Sequence, residues 1–257
     1  MLGYDEPIVT DGNAITELEL ADWRRRVAKL YADVRFLHAD DPVAAWQHWR
    51  SEREALYRDH PQSPVLPNER SGFRARHWGY DQRLAFELEV VREEAVASGP
   101  GEGGAIAPGP DEAAPGLSAF APIAILGDPE PGAGSGPLAL PTSGCGTMEF
   151  RRIGWVDVPF SAGARRLAVY WMAGYAGGLF LPFRDATNGT ETYGAGRYLL
   201  DGAKSADLGG DQARSTLVLD FNFSYHPSCA FDPKWACPLA PPENRIDVRV
   251  EAGERLM

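Results

Sequence analysis

The residues best suited to metal or redox chemistry occur close together near the C-terminus, in the sequence HPSCAFDPKWAC. This stretch contains His226, Cys229 and Cys237. Imidazole and thiolate groups are common zinc ligands, and a site with three protein ligands keeps one position for a water molecule. The spacing differs from the C-x2-C pattern of known zinc motifs, and two other interpretations stay open. The cysteines are either buried structural thiols or a labile disulfide that closes a short loop.

Carboxylate and amide side chains occur at two further places in the C-terminal third. An alternating pattern predicts a strand over residues 215–223, in which Asp220 and Asn222 point away from the aromatic side chains. Glu243 and Asn244 follow two consecutive prolines, which hold the backbone rigid. We predict that the two carboxylates are acid–base groups of a site and that the two amides bind a ligand. The alternative for Asp220 and Asn222 is that they cap turns and satisfy buried backbone groups.

Two arginines lie on either side of an Asn-Gly dipeptide. Arg184 precedes this dipeptide and Arg197 follows it. A guanidinium group binds a carboxylate or phosphate through two parallel hydrogen bonds, so both arginines are candidate anion holders. The alternative is that they form internal ion pairs, Arg197 with Asp220 or Arg184 with Glu243.

Taken together, these residues predict a polar pocket built from the C-terminal motif. The predicted function is therefore a small-molecule-binding protein or an enzyme, with Asp220 and Glu243 as the catalytic residues. The alternative is a non-catalytic structural or interaction module whose polar side chains form an internal ion-pair network. The sequence contains no G-x-S-x-G, P-loop or H-E-x-x-H motif that would indicate a reaction. Zinc is the candidate cofactor, and the predicted ligand-binding residues are Arg184, Arg197, Asn222, Tyr225, Trp235 and Asn244.

Hydrophobic periodicity predicts two helices followed by a series of short strands. Apolar residues at helical spacing predict a helix over 15–39, and Asp41 before Pro42 predicts the start of a second helix that ends near Asp59. Alternating patterns and an Asn188-Gly189 hairpin signal indicate strands in the rest of the chain. The predicted fold class is α+β, with two N-terminal helices followed by a bent antiparallel sheet or a small β-barrel. The predicted strands are 83–90, 148–158, 165–172, 179–183, 190–200, 215–223 and 246–250.

A single domain is expected to account for most of the chain. Residues 1–14 are expected to be a flexible leader, and residues 15–257 a single α+β domain. Residues 98–147 contain 12 glycines and 9 prolines but no lysine, arginine or histidine. Such a composition is typical of a flexible excursion, so we interpret this tract as a loop inserted in the sheet.

Composition excludes several classes of partner. The 257 residues carry a net charge of −11, which opposes binding to nucleic acid. No apolar run is long enough to cross a bilayer, and the N-terminal residues lack the pattern of a signal peptide. We therefore expect a cytoplasmic protein with a small-molecule ligand and with no membrane or nucleic-acid partner.

Three longer motifs resemble a known family. They are WQHWRSEREALYRDHPQSP at 46–64, LFLPFRDATNGTETYGAGRYL at 179–199 and LDFNFSYHPSCAFDPKWACPLAPPENRI at 219–246. On these motifs the chain resembles the bacterial and archaeal family known as domain of unknown function 1684, over most of residues 40–254 apart from the Gly/Pro-rich tract. The resemblance implies almost nothing about activity. Where the family pattern has Asn before the proline, this chain has His226, so a role for that imidazole would be particular to this branch.

Overall fold

A computed structural model describes residues 16–92, 136–174 and 177–256. The predicted leader and most of the Gly/Pro-rich tract lie outside the described residues. The two helices are α1 (Thr16–His38) and α2 (Pro42–Asp59). The strands are β1 (Arg76–His77), β2 (Ala85–Glu89), β3 (Leu138–Pro141), β4 (Thr147–Phe160), β5 (Gly163–Met172), β6 (Gly178–Phe183), β7 (Arg197–Asp201), β8 (Gly210–Asp211), β9 (Thr216–Asp220) and β10 (Glu254–Arg255).

Both predicted N-terminal helices are confirmed. The Asp41 carboxylate caps α2 by accepting a hydrogen bond from the Ala44 N–H at 2.9 Å, and Pro42 occupies the first turn. The helix ends at His60, where the following proline prevents a further helical residue. No described helix has the length and apolar character needed to cross a membrane.

The strands form three antiparallel sheets, which confirms the α+β class. The largest has the order β3-β4-β5-β6-β7, a second has the order β2-β9-β8, and the third pairs β1 with β10. Within the described residues, the edge strands β3 and β7 do not pair with each other. The large sheet is therefore open, and the alternative of a small closed barrel is wrong.

The five-stranded sheet is buried on both faces, so it separates two hydrophobic cores. On β5, Ala168 and Tyr170 pack with Trp46 and Trp49 of α2 in the first core. Leu167 and Val169, which alternate with them along β5, pack with other sheet residues and the C-terminal segment in the second core. This alternation follows from the two-residue period of a strand.

Three sequence predictions differ from the structure because side chains redirect the backbone. The strand that contains Asp220 ends at that residue, since its carboxylate accepts the Asn222 N–H at 2.9 Å and turns the chain into a 3-10 turn. The Asn188-Gly189 dipeptide is not a two-residue hairpin turn. The Asn188 side chain bonds to Asp185, Thr192 and Tyr193 within a loop over 184–196, and β7 begins only after this loop.

The segment 246–250 is also not a strand. It runs beside the loop over 184–196, where Ala186 donates to the Val248 carbonyl at 2.9 Å and Val250 donates to the Asp185 carboxylate at 2.8 Å. At Val250, the Asp185 side chain thus takes the place that the backbone carbonyl of a neighbouring strand would have as hydrogen-bond acceptor. In contrast, Leu138–Pro141 within the Gly/Pro-rich tract forms β3 and pairs with β4.

Candidate functional site

A buried ion pair joins the second helix to the last strand. The Arg53 guanidinium of α2 donates to both carboxylate oxygens of Glu254 on β10, with Nε–Oε1 at 2.6 Å and Nη2–Oε2 at 3.3 Å. The His226 N–H donates to Oε2 at 2.7 Å. Burial raises the pKa of Glu254, but the attraction and hydrogen bonds of Arg53 outweigh it and lower this pKa to about 2. Arg53 itself lies 4.3 Å from the Tyr57 ring and 4.4 Å from the Tyr225 ring.

A second ion pair lies wholly inside the protein. Arg197 of β7 and Asp185 of the loop that precedes this strand are 3.2 Å apart, and neither side chain is exposed. The same guanidinium donates to the carbonyls of Val250, at 2.9 Å, and Ala252. Burial lowers the pKa of Arg197, and the Asp185 carboxylate opposes this shift. The pair fixes the backbone that leads into β10 and so positions Glu254.

Two imidazoles lie beside the first ion pair. His77 stands directly opposite Glu254 in the β1–β10 pairing. Burial is the main reason that the pKa values of His77 and His226 are both lowered to about 4, so both rings are neutral at pH 7. The His226 Nε2 accepts the Tyr193 N–H at 3.3 Å, which assigns the ring proton to Nδ1. That Nδ1–H has no hydrogen-bond partner in the described part of the chain.

A half-open cavity of about 340 Å³ lies against this cluster. Its walls include the rings of Phe73 and Phe231, whose centroids are 5.8 Å apart, and Tyr57 packs behind both rings. The polar groups that line it are Arg74, Arg76, His226, Glu254 and Arg255. Its volume falls within the range of small-molecule sites, roughly 300–1,000 Å³.

Two arginines at this cavity form an unusual pair. Arg76 and Arg255 are directly opposite each other in the β1–β10 pairing, and both are exposed. Within the described residues neither has a carboxylate at ion-pair distance, whereas Arg74 lies 3.8 Å from Glu54. Like charges at directly opposed positions destabilise a strand pair. We call Arg76 and Arg255 the basic pair. It makes the rim of the cavity positive in a strongly acidic chain.

The residues predicted from the C-terminal motif are mostly interior. The Asp220 carboxylate accepts hydrogen bonds from His38, Tyr80 and both nitrogens of Asn222 at 2.7–3.1 Å. Asn222 also binds the backbone of Asp81. The structure therefore brings Asp220 and Asn222 together as predicted, but by a turn and not by the strand pleat. Neither side chain is exposed.

Asn244 and Glu243 serve different neighbours. Asn244 bonds to the backbone of Ala168 and Pro182 at 2.7–2.9 Å and joins β5 to β6. Glu243 accepts the Tyr170 hydroxyl at 2.7 Å and lies 3.9 Å from Arg152. Glu243 and Asp220 share no hydrogen-bond partner in the described residues, so the structure does not join the two candidate catalytic groups in one site.

The predicted partners of the two arginines are wrong. Arg197 pairs with Asp185 and not with Asp220, because the loop over 184–196 folds back onto β7. Arg184 has no ion pair with Glu243, and its backbone instead bonds to Asn244 and Ile246. Internal ion pairing of Arg197 was nevertheless one of the two interpretations of the sequence.

The two aromatic residues predicted to bind a ligand also lie elsewhere. Tyr225 is buried beneath Arg53 and donates its hydroxyl to the Asp201 carboxylate at 3.0 Å. Trp235 lies in the loop between the two cysteines, with the Lys234 ammonium 5.3 Å from its ring. Neither is among the residues that line the cavity beside Glu254.

The predicted zinc ligands are not arranged around a common point. No group of three His, Cys, Asp or Glu side chains in residues 16–92, 136–174 and 177–256 has the geometry of a metal site. The reason is local: His226 turns its Nε2 toward the Tyr193 N–H, while Cys229 and Cys237 contact each other. The structure thus does not support a zinc site of His226, Cys229 and Cys237.

Sequence reasoning missed Arg53, Asp185, Phe73 and the basic pair. One signal was present, since Arg53 lies on the same face of α2 as the buried Trp46 and Trp49. A charged residue within an apolar face requires a buried partner, which predicts a carboxylate from elsewhere in the chain. The other residues carry no comparable local signal.

Comparison with known proteins gives a family and a fold. The family model described as Protein of unknown function (DUF1684) matches residues 125–255, just over half of the chain. A solution NMR structure of the uncharacterized protein from gene locus rrnAC0354 of Haloarcula marismortui shares the fold, with 24% identity and a TM-score of 0.51 over 85% of this chain and 96% of that chain. No curated protein matches. The chain belongs to the DUF1684 family.

Proposed function

We propose that the protein binds a small organic anion with an apolar body in the cavity beside Glu254. The observation that carries this proposal is the basic pair. Arg76 and Arg255 are opposed across two short strands, have no carboxylate partner in the described residues and line an aromatic cavity. An anion between them would convert a repulsive arrangement into two charge-assisted hydrogen bonds.

The remaining lining residues suit the same ligand. Phe73 and Phe231 offer an apolar surface for its body. The neutral His226 offers an Nδ1–H donor, which suits an anion because it contributes no acceptor to repel one. A carboxylate, sulfonate or phosphate group on an aryl or short alkyl body matches this combination.

Glu254 lines the same cavity, but its charge is already compensated. Both of its oxygens accept hydrogen bonds from Arg53, and one also accepts the His226 N–H. A cationic ligand would have to displace these bonds, whereas an anion needs only the exposed basic pair. We therefore infer a negatively charged ligand, because Glu254 is already paired with Arg53 whereas the basic pair has no carboxylate partner in the described residues.

The internal polar networks support this site as a framework. Asp185, Arg197, Asp220, Asn222 and Asn244 hold the loops in place from within the core. The alternative prediction was a structural module with an internal ion-pair network. Such a network is compatible with a ligand cavity at the surface. The lack of a nucleic-acid partner stays a prediction, supported by the net charge of −11, and the cytoplasmic location stays a prediction from the N-terminal sequence.

Isothermal titration calorimetry with 4-bromobenzoate as the probe tests the proposal. We expect binding of the carboxylate and none of the neutral 4-bromobenzamide. Arg76→Gln and Arg255→Gln should each weaken binding about 10-fold or more, the effect of one charge-assisted hydrogen bond. Arg24→Gln makes the same charge change at an exposed position of α1 that is not among the residues lining the cavity, and it should leave the affinity unchanged.

Equal binding of the amide and the carboxylate would show that the basic pair has no role. If Arg76→Gln, Arg255→Gln and Arg24→Gln all bind the probe with the same affinity, the probe binds somewhere other than at the basic pair. Because Arg76 and Arg255 are exposed, their replacement should not unfold the protein, and thermal unfolding of each variant checks this.

A further inference from the structure

Two cysteines lie side by side, and the first of them directly precedes Ala230 and Phe231, which line the cavity. Cys229 belongs to the 3-10 turn Ser228–Ala230, and Cys237 follows it by eight residues. The Cys229 backbone N–H donates to the Cys237 Sγ at 3.3 Å, so the two cysteines are in direct contact. Both cysteines are free, with exposed fractions of 7% and 6%. We call them the thiol pair.

The turn between β3 and β4 holds the thiol pair in place. Ser143 of that turn donates its N–H to the Cys237 carbonyl at 2.8 Å and accepts the Cys237 N–H on its hydroxyl at 3.0 Å. The interaction with Cys237 is the main cause that outweighs burial and lowers the pKa of Cys229 to about 6. Donors directed at one sulfur favour its thiolate, which is the reactive form of cysteine.

We propose that Cys229 and Cys237 form a reversible redox pair that a hydroperoxide oxidises to a disulfide. The Cys229 thiolate attacks the outer oxygen of the hydroperoxide, the O–O bond breaks, and the alkoxide or hydroxide leaves and takes up a proton. Cys229 is then a sulfenic acid. The Cys237 sulfur attacks the Cys229 sulfur, the S–O bond breaks, and water leaves with the Cys237 proton. Two sulfurs lose two electrons in total, and the hydroperoxide gains them.

The low exposure of the thiol pair favours a small oxidant. Because only 6–7% of each cysteine is exposed, a small hydroperoxide reaches the thiol pair more easily than a bulky disulfide does. The Cys237 sulfur already touches the backbone of Cys229, so a resolving thiol is available without unfolding, and the two sulfurs must approach to about 2.05 Å. Cys145, in the same turn as Ser143, is exposed and serves as an internal comparison.

The experiment uses the full chain with stoichiometric hydrogen peroxide. After the reaction, remaining thiols are blocked with N-ethylmaleimide and the protein is digested with trypsin. Cleavage after Lys234 separates the two cysteines, so a disulfide appears as two joined peptides that lack two hydrogens. We expect the joined peptides in the wild type and in Cys145→Ser, and their loss after dithiothreitol. In Cys237→Ser we expect a dimedone adduct on Cys229, because the sulfenic acid has no partner.

Two results would overturn the proposal. One is that Cys145 is oxidised while Cys229 and Cys237 are recovered as N-ethylmaleimide adducts. The other is that Cys229 proceeds to sulfinic acid in the wild type without the joined peptides, which would show that Cys237 does not resolve it. The wild-type result alone decides the proposal even where Cys237→Ser folds poorly.

Discussion

Removal of the negative charge from the interior ion pair should cost a large part of the stability of the fold. Asp185→Asn keeps the size of the side chain but leaves the Arg197 guanidinium without a counter-charge. Neither side chain has any exposed surface, so water cannot compensate. Loss of one partner of a buried pair costs about 3–5 kcal/mol. Against a typical free energy of unfolding of about 5–15 kcal/mol, this is a substantial fraction.

The assay is urea denaturation at pH 7, followed by tryptophan fluorescence, with the free energy of unfolding extrapolated to water. Asp157→Asn is the matched control, because Asp157 pairs with Arg166 through two 2.8 Å hydrogen bonds at the surface. Exposed pairs contribute about 0–1 kcal/mol. The expected order is therefore a large loss for Asp185→Asn and almost none for Asp157→Asn.

A second variant separates the lost contact from the unpaired charge. Asp185→Asn combined with Arg197→Met removes both charges and should recover part of the stability lost in Asp185→Asn alone. If Asp185→Asn costs less than about 1 kcal/mol, or no more than Asp157→Asn, the argument that a buried unpaired guanidinium is costly does not hold for this site.

Three other predictions concern the two buried imidazoles, Gly253 and Asn244. The pKa values of His77 and His226 are about 4 in the folded protein against 6.5 for the unperturbed group, so the unfolded chain binds more protons below pH 6.5. The free energy of unfolding should therefore fall as the pH is lowered from 6.5 to 4, by up to about 3 kcal/mol per imidazole. The His226→Gln variant should show a smaller decline. Urea titrations of the wild type that show no decline over this pH range would contradict the prediction. Gly253→Ala should lower the free energy of unfolding by at least about 2 kcal/mol, because the residue has φ +74° and the new Cβ would lie 2.2 Å from the Ser224 Oγ. Gly189→Ala is the control and should cost less, because its φ is +83° but the new Cβ meets open space. Equal midpoints of thermal unfolding for the two variants would refute the steric reasoning. Asn244→Ala should cost about 3 kcal/mol, because it leaves buried backbone groups of Ala168 and Pro182 without partners, and a loss below 1 kcal/mol in urea would show that water replaces the amide.

The helices could be predicted because their signals are local. Asp41, Pro42 and Pro61 determine where α2 begins and ends, and each acts within a few residues of itself. Strands β4 and β5 were predicted within a few residues because their apolar side chains recur along the sequence. Local rules failed at Asp220 and Asn188, where a side chain forms hydrogen bonds with nearby backbone groups and bends a segment that has a regular sequence pattern.

The candidate site could be predicted only in part. The C-terminal motif does supply His226, and Glu254 follows it, but their partners come from distant parts of the chain. Arg53 is 201 residues away from Glu254 in sequence, and the basic pair joins Arg76 to Arg255. No spacing rule relates such positions. Most of the polar residues chosen from the motif are interior. The sequence could not show this, because an Asn or Arg that binds backbone groups looks the same in sequence as one that binds a ligand.

A crystal structure of the protein with bound 4-bromobenzoate is the most direct test of the proposed anion site. The anomalous signal of bromine locates the probe without ambiguity. We predict the carboxylate between Arg76 and Arg255, within hydrogen-bond distance of the His226 Nδ1, and the bromine against the rings of Phe73 and Phe231 that line the cavity. A bromine peak elsewhere at saturating probe, with the cavity filled by water, would contradict the proposal.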